Sequence, residues 1–156
     1  MLTEKDHLLL ESTKSTQTSL ESIRNGDAGL NAHRQALIGR VPETGDWAKF
    51  KLNSIELLDL AYLTAATGHE FALLRGKRED VLFHGAPREC NFEGALEEML
   101  LNRQLVLLGH SHPGEPDPEP SPADRAVLRR IGQSKSTVIS GMTGQTKDFT
   151  NDPFEI

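Results

Sequence analysis

Beyond residue 45 the apolar positions fall into two alternating rhythms. Ala48, Phe50 and Leu52 alternate with Lys49 and Lys51, the period of a strand with one buried face. Trp47 falls on the lysine side and belongs at that strand's edge. Ile55, Leu58, Tyr62 and Ala66 then follow helical spacing. Asn53 or Ser54 is the predicted cap, Glu56 suits the first turn, and Gly68 ends the helix. The run from Glu70 to Leu74 reads as a strand, 76–80 as a charged turn, and 81–84 as its hairpin partner. A short helix is predicted over 93–102, and then a buried strand from Leu105 to Leu108. That strand runs into Gly109-His110-Ser111-His112-Pro113. Five of the chain's eight prolines lie between Pro113 and Pro122, which stiffens the backbone and excludes regular structure. Ser121 starts a helix that reaches Ile131 and stops at Gly132, and a last strand spans Ser136 to Ser140.

The order strand, helix, strand, strand, helix, strand, helix, strand predicts a mixed α/β domain over residues 46–156, with some antiparallel pairing. Residues 1–45 differ. They are rich in Ser, Thr, Asn and Gln, and turn signals at Asn25-Gly26-Asp27 and Pro42-Glu43-Thr44-Gly45 interrupt them. Leu8, Leu9, Leu20 and Ile23 suit one or two loosely amphipathic helices with a thin apolar face, so this stretch reads as an N-terminal arm. No internal repeat is visible.

Composition narrows the function classes. A net charge of -6 argues against nucleic acid as a partner, because phosphate binding needs a basic surface. No apolar stretch approaches the roughly 20 residues that a membrane span needs. The first twenty residues hold only a three-residue apolar run, unlike a secretory leader. The single cysteine, Cys90, rules out an intrachain disulfide and suits a reducing compartment. Together these features predict a cytoplasmic protein, free of membrane.

Three groups carry candidate chemistry. In His110-Ser111-His112 an extended chain points both imidazoles the same way, toward a shared cation or simply into a surface loop. In Ser121-Pro122-Ala123-Asp124 the serine is an N-cap, the proline fits the first helical position, and Asp124 either completes a capping box or reaches a cation. Glu70 precedes four apolar residues and is either a solvated strand end or a buried base. The combination points further than its parts. A catalytic zinc site needs three protein ligands, an open position for water, and a base to take the water's proton.

These stretches resemble the JAMM (MPN-domain) zinc metallopeptidases. That family carries a glutamate on an early strand, then H-[ST]-H at the end of a later strand, then S-x-x-D at a helix start. Here the counterparts are Glu70, His110-Ser111-His112 and Ser121-Pro122-Ala123-Asp124. The loop between His112 and Ser121 is one residue longer than is usual in the family, a change that costs little in a loop. The resemblance covers about residues 46 to 150. It implies an MPN-like (cytidine-deaminase-like) fold, a central mixed sheet flanked by helices. It implies that His110, His112 and Asp124 hold Zn²⁺, that Glu70 is the general base, and that Ser121 hydrogen-bonds the oxyanion. The implied activity is hydrolysis of an amide or isopeptide bond in a protein or peptide substrate, including the tail of a ubiquitin-like protein. Two alternatives stand beside it: a catalytically silent MPN scaffold, although silent members typically lack ligands and all ligand types are present here, and a RadC-like protein, whose H-x-H-P and P-S-x-x-D stretch is similar.

The remaining polar residues read more plainly. His84 on an apolar strand is a packed or edge histidine, and His69 points away from Glu70 on a regular strand. His7 and His33 lie in the arm, and Cys90 has no evident catalytic partner. Glu115, Asp117 and Glu119 alternate with prolines, either to solubilise the loop or to form an acidic rim that attracts basic substrate tails.

Overall fold

The computed structural model describes residues 18–155. The expectations for Leu8, Leu9 and His7 lie outside the described residues. Six strands form one sheet: β1 (Trp47–Lys51), β2 (Phe71–Arg75), β3 (Glu79–His84), β4 (Val106–His112), β5 (Lys135–Ser140) and β6 (Thr146–Thr150). Among the described residues, five helices accompany them: α1 (Leu20–Arg24), α2 (Ala32–Arg40), α3 (Leu57–Thr67), α4 (Gly94–Leu101) and α5 (Pro122–Ile131). The sheet order is β1-β3-β2-β4-β5-β6, with β4 and β5 parallel and every other pair antiparallel. The fold is therefore mixed α/β, with antiparallel pairing in the majority.

Both faces of the sheet are covered, so β2 is apolar without alternation. Phe71 and Leu73 face a cluster with Leu60, Leu63 and Ile139, while Ala72 and Leu74 face one with Leu96, Leu128 and Phe149. A strand buried on both sides reads as a continuous apolar run for this reason. The first face is roofed by α3, the second by α4 and α5. The expected arm contributes to the first face: Leu20, Ile23, Leu37 and Val41 are buried in the same cluster as Leu60. Its helices are held by polar contacts as well. Arg34 Nε donates to Asp59 on α3 at 2.9 Å, and its guanidinium lies over the Tyr62 ring.

Three sequence expectations need correction. The α3 cap is not Asn53 or Ser54 but Glu56, which forms a capping box with Asp59. Asn53 is taken by a turn, with φ of 63°. The buried face of α3 runs from Asp59 to Ala65, whereas Leu58 is 40% exposed. Lastly, β6 is a strand that the sequence pattern did not announce.

The connection β4–α5–β5 sets up the site. Parallel strands need a crossover, and here α5 supplies it. The N-terminus of α5 therefore returns to the end of β4 where His110 and His112 stand. Among the described residues, no helix is long and apolar enough to cross a membrane.

Candidate metal centre

The two histidines owe their direction to a bulge. Leu74 pairs with Leu107, but Leu73 pairs with Gly109, so Leu108 is an extra residue in β4. Leu105 and Leu107 face the α5 side. Strict alternation would send residues 109 and 111 to that side and turn the histidines away. The extra residue shifts the phase, and His110 now pairs with Ala72, whose side chain also faces α5. Bulges re-aim side chains in this way next to functional sites. Gly109 allows the close approach: a Cβ there would lie 2.5 Å from Leu57 Cδ2 and 2.9 Å from the Thr137 carbonyl.

Ser111, between the histidines, points to the opposite face and anchors the strand. Its hydroxyl accepts from Phe71 N at 3.0 Å and contacts the Thr64 hydroxyl. Thr64 also hydrogen-bonds the His69 carbonyl. The middle residue of the motif thus ties β4 to β2 and α3. It holds the histidines in register with Glu70, which shares the face of Ala72 and Leu74 two and four residues on.

The donor atoms converge. His110 Nε2 and His112 Nε2 are 3.1 Å apart, and Asp124 Oδ2 is 3.2 Å from each. A tetrahedron with edges of about 3.2 Å has its centre about 2.0 Å from every corner, the length of a bond from imidazole nitrogen to zinc. The residues therefore fit a tetrahedral cation with one position left open. Glu70 stands just outside, with Oε2 3.8 Å from His112 Nε2. Donor atoms of Glu70, His110 and His112 all lie within 4.8 Å of one another, so this cluster can also be counted as a metal site. Distance favours Asp124 as the third ligand.

Electrostatics separates the two carboxylates in the same sense. Burial works against charge on Asp124, but hydrogen bonds from His110 and His112 outweigh it and hold the carboxyl well below its usual range. Burial lifts Glu70 to about 7, with the charge of His112 opposing and that of Asp124 adding. Burial also opposes charge on His112, but the hydrogen bond to Asp124 and the negative charge of Glu70 outweigh it and raise its pKa. Two carboxyls with pKa values pushed apart suit one anionic ligand and one acid–base group.

Ser121 and Asp124 make the capping box and do not stop there. Ser121 N donates to Asp124 Oδ2 at 2.8 Å, and Asp124 N donates to Ser121 Oγ at 3.0 Å. The capping box is present, and it orients the carboxylate toward the histidines. The Ser121 hydroxyl accepts in the cap and keeps its own proton to donate elsewhere. It lines an open cleft of about 490 Å³ together with Glu70, His112, Glu115 and Arg88.

Of the other polar residues, Cys90 departs from expectation, whereas His84 is packed and His69 lies away from Glu70 as expected. Cys90, read as having no catalytic partner, places Sγ 3.8 Å from Glu70 Oε1. The turn that brings it there needs Gly85, where a Cβ would lie 2.8 Å from that sulfur. Burial pushes the Cys90 thiol well up, so it stays a donor. His69 and His84 lie across the sheet, hydrogen-bonded to each other at 2.9 Å. His33 pairs with Asp59. Of the loop acids, Glu119 is paired with Lys147, which weakens the acidic-rim alternative.

Comparison with protein-family models, with curated proteins and with solved structures found no match.

Proposed function

We propose that this chain is a zinc-dependent amide hydrolase of the JAMM type, with an MPN-like fold. The observation that carries the reading is the triangle of His110 Nε2, His112 Nε2 and Asp124 Oδ2, with a buried glutamate beside it on an open cleft. His110, His112 and Asp124 would hold the metal, which supplies Lewis acidity toward water and a scissile carbonyl. Glu70 Oε2 takes the proton of the attacking water and returns it to the leaving amine. Cys90 holds the other oxygen of that carboxylate. Ser121 lines the cleft, and its hydroxyl, which accepts from Asp124 N, would donate its own proton to the carbonyl oxygen as that oxygen gains charge. The cleft is open, which suits an extended peptide or isopeptide tail such as that of a ubiquitin-like protein. A silent scaffold would have no use for this convergence of two imidazoles and two carboxylates. The lone cysteine suits a cytoplasmic enzyme.

The test uses metal content and turnover together. The purified protein should carry about one zinc per chain, and it should cleave members of a panel of peptide and isopeptide substrates in a chelator-sensitive way. Glu70→Gln should keep the zinc and lose about 10²–10⁴-fold in turnover, the usual contribution of a general base. Zinc lost from Glu70→Gln would make Glu70 a ligand. Full activity of that variant would remove it from the chemistry.

A further inference from the structure

His112 uses one nitrogen in the donor triangle and leaves the other stranded. Its Nδ1 is buried and has no hydrogen-bond partner among the described residues. A neutral imidazole that offers Nε2 to a cation carries its proton on Nδ1, and that buried N–H requires an acceptor. Glu115 Oε1 stands 3.8 Å from His112 Nδ1. The gap is too long for a hydrogen bond and too short for a bridging water, so a shift of about 1 Å closes it.

Glu115 is held in place for this contact. Its Oε2 accepts from Glu119 N at 3.0 Å, and its carbonyl accepts from the Ser140 hydroxyl. The next carbonyl, Pro116 O, accepts from the Thr143 hydroxyl at 2.6 Å. The loop is thereby pinned to the β5–β6 turn, and one carboxylate oxygen is left to face His112. Neither neighbouring acid shares this arrangement: Glu119 pairs with Lys147, and Asp117 is exposed.

We infer that Glu115 is the positioning residue of His112, accepting the Nδ1 proton so that the Nε2 lone pair is presented to the cation. The inference rests on the metal reading of the site proposed above.

Zinc affinity of the full chain, measured by competition with a chromophoric chelator, tests it. Glu115→Ala should weaken zinc binding about 10–100-fold, the usual cost of losing such a partner. Glu115→Gln should recover much of that loss, because the amide oxygen still accepts the proton. Asp117→Ala should bind as the wild type does. Thermal melting in excess chelator checks that each variant folds, and the near-isosteric Gln variant keeps the comparison available if the Ala variant does not. In the zinc-loaded protein, the His112 Nδ1 proton should be visible in long-range proton–nitrogen spectra and lost in Glu115→Ala. A wild type that binds no zinc overturns the metal reading and this inference together. A wild type that binds zinc, with Glu115→Ala equally tight, overturns the role of Glu115 alone. So does a Gln variant no better than Ala, or an equal loss in Asp117→Ala, since either would mean loop charge.

Discussion

His110 and His112 bring their Nε2 atoms to 3.1 Å on one face of the sheet, and His84 Nε2 comes as close to His69 Nδ1, 2.9 Å, on the other. Their surroundings differ in kind. The first pair meets the carboxylates of Asp124 and Glu70, and both Nδ1 atoms are buried without partners among the described residues. The second pair meets carbonyls: His84 Nδ1 donates to Val41 O at 2.7 Å, and His69 Nδ1 lies 3.2 Å from Gly85 O. The donation to Val41 fixes the tautomer of His84, so its Nε2 must accept and His69 Nδ1 must donate. One pair thus aims two ring nitrogens at a point shared with carboxylates; the other spends its nitrogens on each other and on backbone carbonyls. Closeness of ring nitrogens does not make a metal site. Convergent acceptors do.

The sharpest way to break this comparison is to delete each pair in turn. His110→Ala/His112→Ala should lose nearly all zinc, a drop of more than about 10³-fold in affinity, since two of the three proposed ligands are gone. His69→Ala/His84→Ala should keep one zinc per chain and melt at a lower temperature, with a buried carbonyl and the face of Phe71 left uncovered. Metal analysis and thermal unfolding on both variants decide it. Full zinc in the first variant would place the metal elsewhere.

Removing residues 1–40 sharpens the same contrast, because the second pair anchors the chain that follows them. The cut strips Leu20, Ile23 and Leu37 from the core. At about 1.5–3 kcal/mol for each buried aliphatic side chain, the loss is comparable with the whole stability of an ordinary domain, about 5–15 kcal/mol. The shortened chain should be insoluble or melt far below the full one in urea titration. A shortened chain with an unchanged midpoint would restore residues 1–45 to the status of an arm.

Titration separates the pairs next. Burial lowers the pKa of His84 from 6.5, with the Val41 hydrogen bond opposing and the charge of His69 adding. The fold therefore favours neutral His84. Its stabilising contribution is present above pH 6.5 and is lost as pH falls from there through the folded-state pKa, because the unfolded chain takes up the proton first. His112 has the opposite sign, its pKa being raised. The stability difference between the wild type and His84→Gln, measured in chelator, should shrink between pH 7 and 5. A difference independent of pH would mean that His84 does not titrate in the unfolding reaction.

How much of this was legible follows from what each residue must satisfy. Glu70, His110, His112 and Asp124, which the fold brings together, could be singled out from the sequence because their types and order are those a metal site would need, whatever the packing. The bulge left one trace, Gly109 inside an apolar strand, which signals a bulge or a close approach, and here it marks both. The phase of α3 was not legible. That helix is wedged between the sheet and α1–α2, so it has no broad polar face from which to read a phase. The strand β6 was hidden because Phe149 is its only apolar residue; pairing with β5 defines it. Helix α2 buries only Leu37, and contacts of His33 and Arg34 with Asp59 hold the rest. The Cys90–Glu70 contact joins residues brought together only by the turn after β3.

The smallest expected effect concerns the rim of the cleft. The sequence offers three acids there, but they are not equivalent. Glu119 is neutralised by Lys147, with both carboxylate oxygens within 3.0 Å of Nζ. Glu115 turns one oxygen toward Glu119 N and the other toward His112. Asp117 is the exposed acid not so engaged, and Arg88 lines the cleft together with Glu115. A basic substrate tail therefore meets little net attraction. Two unit charges 4 Å apart in water gain only about 1 kcal/mol, and physiological salt screens beyond about 8 Å. Asp117→Ser should lower kcat/KM for a Lys- or Arg-containing tail by no more than about 5-fold at low salt, and leave a neutral tail unchanged. Lys147→Ala frees Glu119 and should shift the preference the other way, toward basic tails, by a similar factor that fades as salt is added. Equal changes on basic and neutral tails in Lys147→Ala would mean that the lysine shapes the loop, and that the charge of Glu119 is not what the substrate senses.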